Sequence, residues 1–131
     1  MLVVGLPGSG KSVFARQLAQ AQGYIWLDDP SVGLSHEQLV QRLRALNASA
    51  SGLAISDPLL CYVHNREAAI EVLSACCPQA QLEWVYFEND PEQCLANALA
   101  RNASQEVRGF IAEASKVYAP PPSALPVYAP H

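Results

Sequence analysis

A chain of 131 residues is long enough for one domain that buries roughly two-thirds of its unfolded surface, so neither a metal nor a disulfide staple is required. Half of it is hydrophobic, 15% is charged and the net charge is −4, which is the composition of an ordinary globular protein and argues against a long nucleic-acid track. The four cysteines, Cys61, Cys76, Cys77 and Cys94, show no C-x-x-C spacing and no histidine at metal spacing, so they read as buried free thiols of a reducing compartment.

Met1 to Val4 is a short apolar run stopped by Gly5, the pattern of a strand buried on both faces. No basic leader or long apolar run precedes the glycines, and the expectation is a cytosolic, cytoplasmic protein without a membrane span. From Lys11 the spacing of Phe14, Leu18 and Ala21 predicts a helix ending near Gly23. Tyr24 to Leu27 reads as a second strand, halted by Asp28, Asp29 and Pro30. Ser35 and Gln38 fit a capping box, with Leu39, Val40, Leu43 and Leu46 on the inward face of the helix that follows.

Gly52 to Ser56 is a third strand ending at Asp57, and Asn65 can cap a helix that turns Ala69, Val72, Leu73 and Cys76 inward. Leu82 to Phe87 is a fourth strand. Asp90 followed by Pro91 starts a helix whose inward line is Cys94, Leu95, Ala98 and Leu99. After a break at residues 102 to 104, Val107, Phe110, Ile111, Ala114, Val117 and Tyr118 form a last amphipathic stripe. This alternation implies an α/β fold, a P-loop NTPase with a doubly wound open parallel sheet of four to five strands and helices on both faces. Residues 1–118 form the domain and residues 119–131 a proline-rich tail, either extended or partly docked, with LPVY as a possible edge strand.

The stretch GLPGSGKS, Gly5 to Ser12, satisfies G-x-x-x-x-G-K-[ST] in its required setting, a strand before and a helix after. Gly5, Pro7, Gly8, Ser9 and Gly10 shape a loop whose amides turn toward phosphate oxygens, and the following helix starts at the anion. Lys11 reaches the β- and γ-phosphates of ATP, and the Ser12 hydroxyl can ligate the accompanying magnesium ion (Mg2+). Asp57, closing the hydrophobic LAIS strand, is the candidate second metal-side acid; the alternative is a turn aspartate before Pro58.

A hydroxyl acceptor must lose its proton, and Asp28 and Asp29 stand where open parallel sheets present their sites. Side chains of neighbours diverge, so one of the pair faces the acceptor, and Asp29 is the candidate base, with Asp28 as the other choice. Arg101 and Arg108, around the break at residues 102 to 104, are candidate cations over the phosphates. Arg66 is a weaker candidate on the acceptor side. His36, His64 and His131 are isolated and carry no assigned chemistry.

The motifs GLPGSGKSVFAR, LDDPS, GLAISDPLL and VYFENDP followed by LANALARN resemble the kinase domain of bacteriophage polynucleotide kinase and its zeta-toxin-like and phage kinase relatives, over most of residues 1 to 118. The resemblance implies ATP-dependent phosphoryl transfer to a hydroxyl, with Lys11 and Ser12 at the phosphate-loop positions, Asp29 at the general base, Asp57 at the acid after the third strand and Arg101 at the lid arginine. It also implies an arginine shortly after the base that holds an acceptor phosphate; here no arginine follows until Arg42. The acceptor is therefore a nucleoside, nucleotide, small metabolite or nucleic-acid 5′-OH end, the last not favoured by the acidic charge. The competing reading is an ATP-binding interaction module that transfers phosphate to nothing.

Overall fold

The computed structural model describes residues 1–29, 35–49 and 52–130. The expected turn at Pro30, the side chain of His36 and His131 lie outside the described residues. Four strands, β1 (Leu2–Val4), β2 (Ile25–Asp28), β3 (Leu53–Ser56) and β4 (Trp84–Tyr86), make one parallel sheet in the order β2-β3-β1-β4. The helices between them are α1 (Lys11–Gln22), α2 (His36–Ser49), α3 (Val63–Cys76), α4 (Pro91–Ala100) and α5 (Gln105–Ser115), with a 3-10 turn at Pro58–Cys61. The chain has the α/β P-loop fold.

Alternation along the strands divides the core in two. Leu2, Val4, Leu27, Leu53 and Ile55 point into the larger cluster beneath α2, α3, α4 and α5, where Leu43, Val72, Leu73, Ala98 and Ile111 meet them. Val3 points the other way, to Ala15 of α1 and Phe87, with Phe14, Trp26 and Val85 packed around them. Central β1 is therefore covered on both faces and is 0–1% exposed, as its unbroken apolar run implies.

Several helix faces differ from the expected ones. The inward line of α1 is Lys11, Ala15 and Ala19, while Ala21 is exposed; small alanines let the helix approach the sheet closely, and the bulkier Phe14 and Leu18 sit at its flanks. In α4 the buried line is Cys94, Asn97 and Ala98, and the expected Leu95 and Leu99 face outward. Val117, just past α5, is also exposed. Helix α3 starts earlier than the expected cap: Tyr62 is its N-cap, and Asn65 donates instead to the Leu59 carbonyl at 2.9 Å. The cause is the 3-10 turn, which feeds straight into α3 and supplies the carbonyl for Asn65.

The proline-rich segment docks on the free edge of β4. Leu125 donates to the Tyr86 carbonyl and accepts from the Glu88 amide, both at 2.8 Å, a single parallel bridge in the place of a fifth strand. The four cysteines are buried, and the Cys76 and Cys77 sulfurs lie 3.5 Å apart as free thiols. Burial pushes the Cys61 and Cys94 thiols up to about 12. No helix among the described residues is long and apolar enough to cross a membrane.

Candidate active site

The parallel register brings the carboxyl ends of β1, β2 and β3 to one edge, with Asp28 of β2 opposite Ser56 of β3. From β1 the chain enters the phosphate loop. Gly8 and Gly10 take φ of 85° and 97°, a region that penalises any side chain. A Cβ on Gly8 would also stand 2.4 Å from the Cys94 carbonyl oxygen of α4. Gly10 caps α1 without a side-chain hydrogen bond, which leaves the first-turn amides facing outward at the positive end of the helix.

Ser9 is fully buried, and its hydroxyl has no hydrogen-bond partner among the described residues. A Cβ on Gly5 would lie 2.5 Å from that hydroxyl. Half-buried Pro7 stands beside them in the loop. An uncapped helix start, an orphaned buried hydroxyl and a cradle that side chains would fill together suit a polyphosphate. Lys11, 7% exposed, sits inside this cradle at the first position of α1.

The acidic side is built on β2 and β3. Oδ1 of Asp28 accepts from the Ser12 hydroxyl at 3.0 Å and from the Ser56 hydroxyl at 2.8 Å. Trp26 Nε1 donates to the same Ser56 hydroxyl at 3.2 Å, fixing it. Asp28 is thus the partner of the phosphate-loop serine, a role that the sequence reading left unassigned. The signal was the pair itself: two adjacent acids with diverging side chains leave one free to meet Ser12.

Asp29 follows with a φ of 49°, a left-handed conformation costly for a non-glycine residue, and its amide donates to the Ser56 carbonyl at 2.8 Å. Its Oδ1 is buried without a hydrogen-bond partner among the described residues. Burial first, then the charges of Asp28 and Asp57, raises the Asp29 carboxyl above the ordinary aspartate value of 3.8, against an opposing pull from Lys11. Asp57 is buried at the end of β3, and its Oδ1 accepts from the Leu59 amide at 2.9 Å, capping the 3-10 turn. The turn role and a place beside the site coexist in that one carboxylate.

The described residues contain no group of three His, Cys, Asp or Glu side chains able to hold a metal alone. Ser12 with Asp28 and Asp57 nearby fits magnesium held mainly by water and phosphate oxygens, which is how that ion usually accompanies a nucleotide.

None of Arg66, Arg101 and Arg108 is hydrogen-bonded to the loop among the described residues. Arg101 closes α4 and Arg108 lies early in α5; both are exposed, and neither guanidinium is hydrogen-bonded or ion-paired among the described residues. Arg66 braces the fold instead: its Nη1 donates to the Leu60 and Cys61 carbonyls at 2.8 and 3.1 Å, and its guanidinium lies 5.9 Å from the Tyr86 ring centre.

Asn97, absent from the expected set, reaches the loop directly. It is 8% exposed, and its Nδ2 donates to the Gly8 carbonyl at 2.8 Å and to the Tyr128 carbonyl at 2.6 Å. Gln93 Nε2 donates to its Oδ1 at 2.9 Å, so the whole amide is engaged. The sequence carried no signal of this role, because the apolar spacing of α4 put Leu95 and Leu99, not Asn97, on its inward line. A cavity of about 180 Å³ lies between α2 and α3, walled by Leu39, Leu43, Leu60, Ala69 and Val72, with Asp57 and Asn65 also on its lining.

Comparison with known proteins agrees with this architecture. A family model described as an AAA domain matches residues 1–51, the segment from β1 through the phosphate loop to the carboxylate pair and α2. An uncharacterised protein of Acanthamoeba polyphaga mimivirus is 29% identical over 106 residues, 81% of this chain and 75% of that protein. Among solved structures, a gluconokinase from Sinorhizobium meliloti superposes with a TM-score of 0.62 at 14% identity, covering 98% of this chain and 83% of its own. At that identity the likeness is one of fold.

Proposed function

We propose that this chain is a small ATP-dependent kinase that transfers the γ-phosphoryl group to a hydroxyl acceptor. The observation that carries the reading is the gathering of Asp28, Asp29 and Asp57 beside Ser12 at the open end of an uncapped phosphate loop. A loop that only held a nucleotide needs no second, unpartnered carboxyl beside the one that meets its metal-side serine. The gluconokinase with the same fold is itself named as a kinase, which supports the reading.

In this scheme the loop amides and Lys11 hold the β- and γ-phosphates, and Ser12, oriented by Asp28, faces the metal side. Magnesium, when bound, neutralises charge on the β- and γ-phosphate oxygens. Asp29 accepts the proton of the acceptor hydroxyl as its oxygen bonds to the γ-phosphorus; the bond from phosphorus to the bridging oxygen breaks, and ADP leaves. A raised carboxyl pKa makes Asp29 a better proton acceptor than an ordinary aspartate. Arg101 and Arg108 are the cations proposed to reach the transferred group when the 101–104 turn folds down over a bound nucleotide.

The acceptor is proposed to be a neutral or weakly charged alcohol with an apolar portion. The cavity beside Asp57 is walled mainly by aliphatic side chains, and Arg66, the one nearby cation considered for an acceptor phosphate, is spent on backbone carbonyls. A polynucleotide 5′ end, which the resemblance to phage polynucleotide kinase suggests, is the weaker choice at a net charge of −4. Incubation with γ-labelled ATP and magnesium against nucleosides, nucleoside monophosphates, sugar acids, polyols and 5′-hydroxyl oligonucleotides tests this. Label on a phosphate-free alcohol is the expected result; label on the oligonucleotides alone contradicts the acceptor class.

A further inference from the structure

The segment from Leu125 to Tyr128 belongs to none of the motifs that fix the phosphate site, yet it is built into that site. The Tyr128 amide donates to the Ser9 carbonyl at 3.1 Å, and the Tyr128 carbonyl accepts from the buried Asn97 amide that also holds the Gly8 carbonyl. Two consecutive carbonyls of the phosphate loop are thus tied outward, one by α4 and one by this segment. A peptide whose carbonyl points out turns the next amide inward, toward the anion. The Tyr128 side chain passes directly over the loop: its Cβ is 3.1 Å from where a Gly10 Cβ would lie, so only glycine leaves room for it. Its ring is nonetheless free of the core, and the residue is 61% exposed.

The sheet order fixes which side of the loop this is. The carboxylates of Asp28, Asp29 and Asp57 stand at the carboxyl ends of β2 and β3, on one flank of β1. Leu125 is bridged beyond β4, on the opposite flank. A nucleoside triphosphate with its γ end at Asp28 and Asp29 must extend its nucleoside away from them, toward β4 and Tyr128. An exposed aromatic ring rigidly held by its backbone at that position presents a stacking face for a flat, uncharged ring.

We infer that the segment 125–128 is the base-side wall of the nucleotide site, its backbone bracing the phosphate loop and the Tyr128 ring stacking on the purine. This rests on the reading of the loop as a nucleoside triphosphate site. Because a ring face reads no donor–acceptor pattern, it contributes equally to ATP and GTP.

Calorimetric titration of ATP, GTP and inorganic tripolyphosphate, each with magnesium, into the wild type, Tyr128→Ala and Tyr128→Phe tests it. Tyr128→Ala is expected to weaken ATP and GTP by about tenfold, the size of a lost base–aromatic stack, while tripolyphosphate binds within about twofold of wild type and Tyr128→Phe binds all three normally. The exposed ring makes the alanine variant a mild one for folding. Unchanged ATP affinity in Tyr128→Ala, or parallel losses for ATP and tripolyphosphate, overturns the stacking role. Wild type that binds tripolyphosphate but gains nothing from the base overturns this inference alone; wild type that binds none of the three overturns the phosphate-site reading and this inference with it.

Discussion

Asp29 combines a positive φ with a carboxyl that is partly buried among other acids, so its ionised form is held at a cost. The sign of that cost is testable. A carboxyl whose pKa is raised on folding destabilises the native state at pH above its folded pKa, and the penalty disappears as the pH falls below the unfolded value of about 3.8. Asp29→Asn should therefore unfold at a higher temperature than wild type at pH 7, with the difference shrinking toward zero as the pH is lowered through and below the raised pKa; asparagine also tolerates the left-handed backbone better than most residues. Thermal scans from pH 3 to pH 8 check it. At Gly8 strain and contact act together. Gly8→Ala adds a forbidden φ and a Cβ against the Cys94 backbone, an expected loss of about 2 to 4 kcal/mol, readable by urea titration. At this scale the sequence was most legible where chemistry constrains residue type: the left-handed Gly8 and Gly10 fall inside the glycine motif, and Asp28 at the end of β2 reaches the phosphate loop at Ser12. Asn97 was illegible because its role comes from a partner, Gly8, that lies far away in the chain, and Asp28 was legible only as the alternative base, not as the partner of Ser12.

The helices show where periodicity stops informing. Leu95 and Leu99 are apolar at helical spacing with Cys94 and Ala98, yet α4 turns Asn97 inward and leaves both leucines exposed. The helix crosses the phosphate loop, and a loop of backbone carbonyls is better met by a carboxamide than by an aliphatic side chain. Asn97→Ala leaves the Gly8 carbonyl buried without its donor, and the expected cost is about 1 to 3 kcal/mol of stability, measured by denaturant unfolding. Asn97→Ala that unfolds at the wild-type urea concentration contradicts a bracing role for α4. In α1 the same physics runs the other way: Ala15 and Ala19, weak in a hydrophobic pattern, occupy the centre because nothing larger fits between helix and sheet. Strand positions were clear within two residues at each end, since short apolar runs between glycines, prolines and aspartates have few alternatives.

Across the whole molecule, the alternation of strands and helices implied a parallel sheet covered on both faces, and the two clusters either side of β1 have that form. The strand order β2-β3-β1-β4 was not legible, because it depends on which face each crossover helix takes. The docking of segment 125–128 was legible only as an alternative, LPVY as an edge strand, because its prolines give no periodicity and its partners are backbone groups. The order matters for function, since it sets the carboxylates on one flank of the phosphate loop and Tyr128 on the other. The direct test of phosphoryl transfer compares binding with turnover in two variants, using γ-labelled ATP and an acceptor that the wild type phosphorylates. Lys11→Ala is expected to lose both nucleotide binding and transfer. Asp29→Asn should bind ATP within about twofold of wild type while transfer falls by about 100-fold or more, the usual share of a general base. Asp29→Asn that transfers label at the wild-type rate contradicts the assignment of Asp29, and a wild type that binds ATP but labels no hydroxyl compound contradicts the kinase itself.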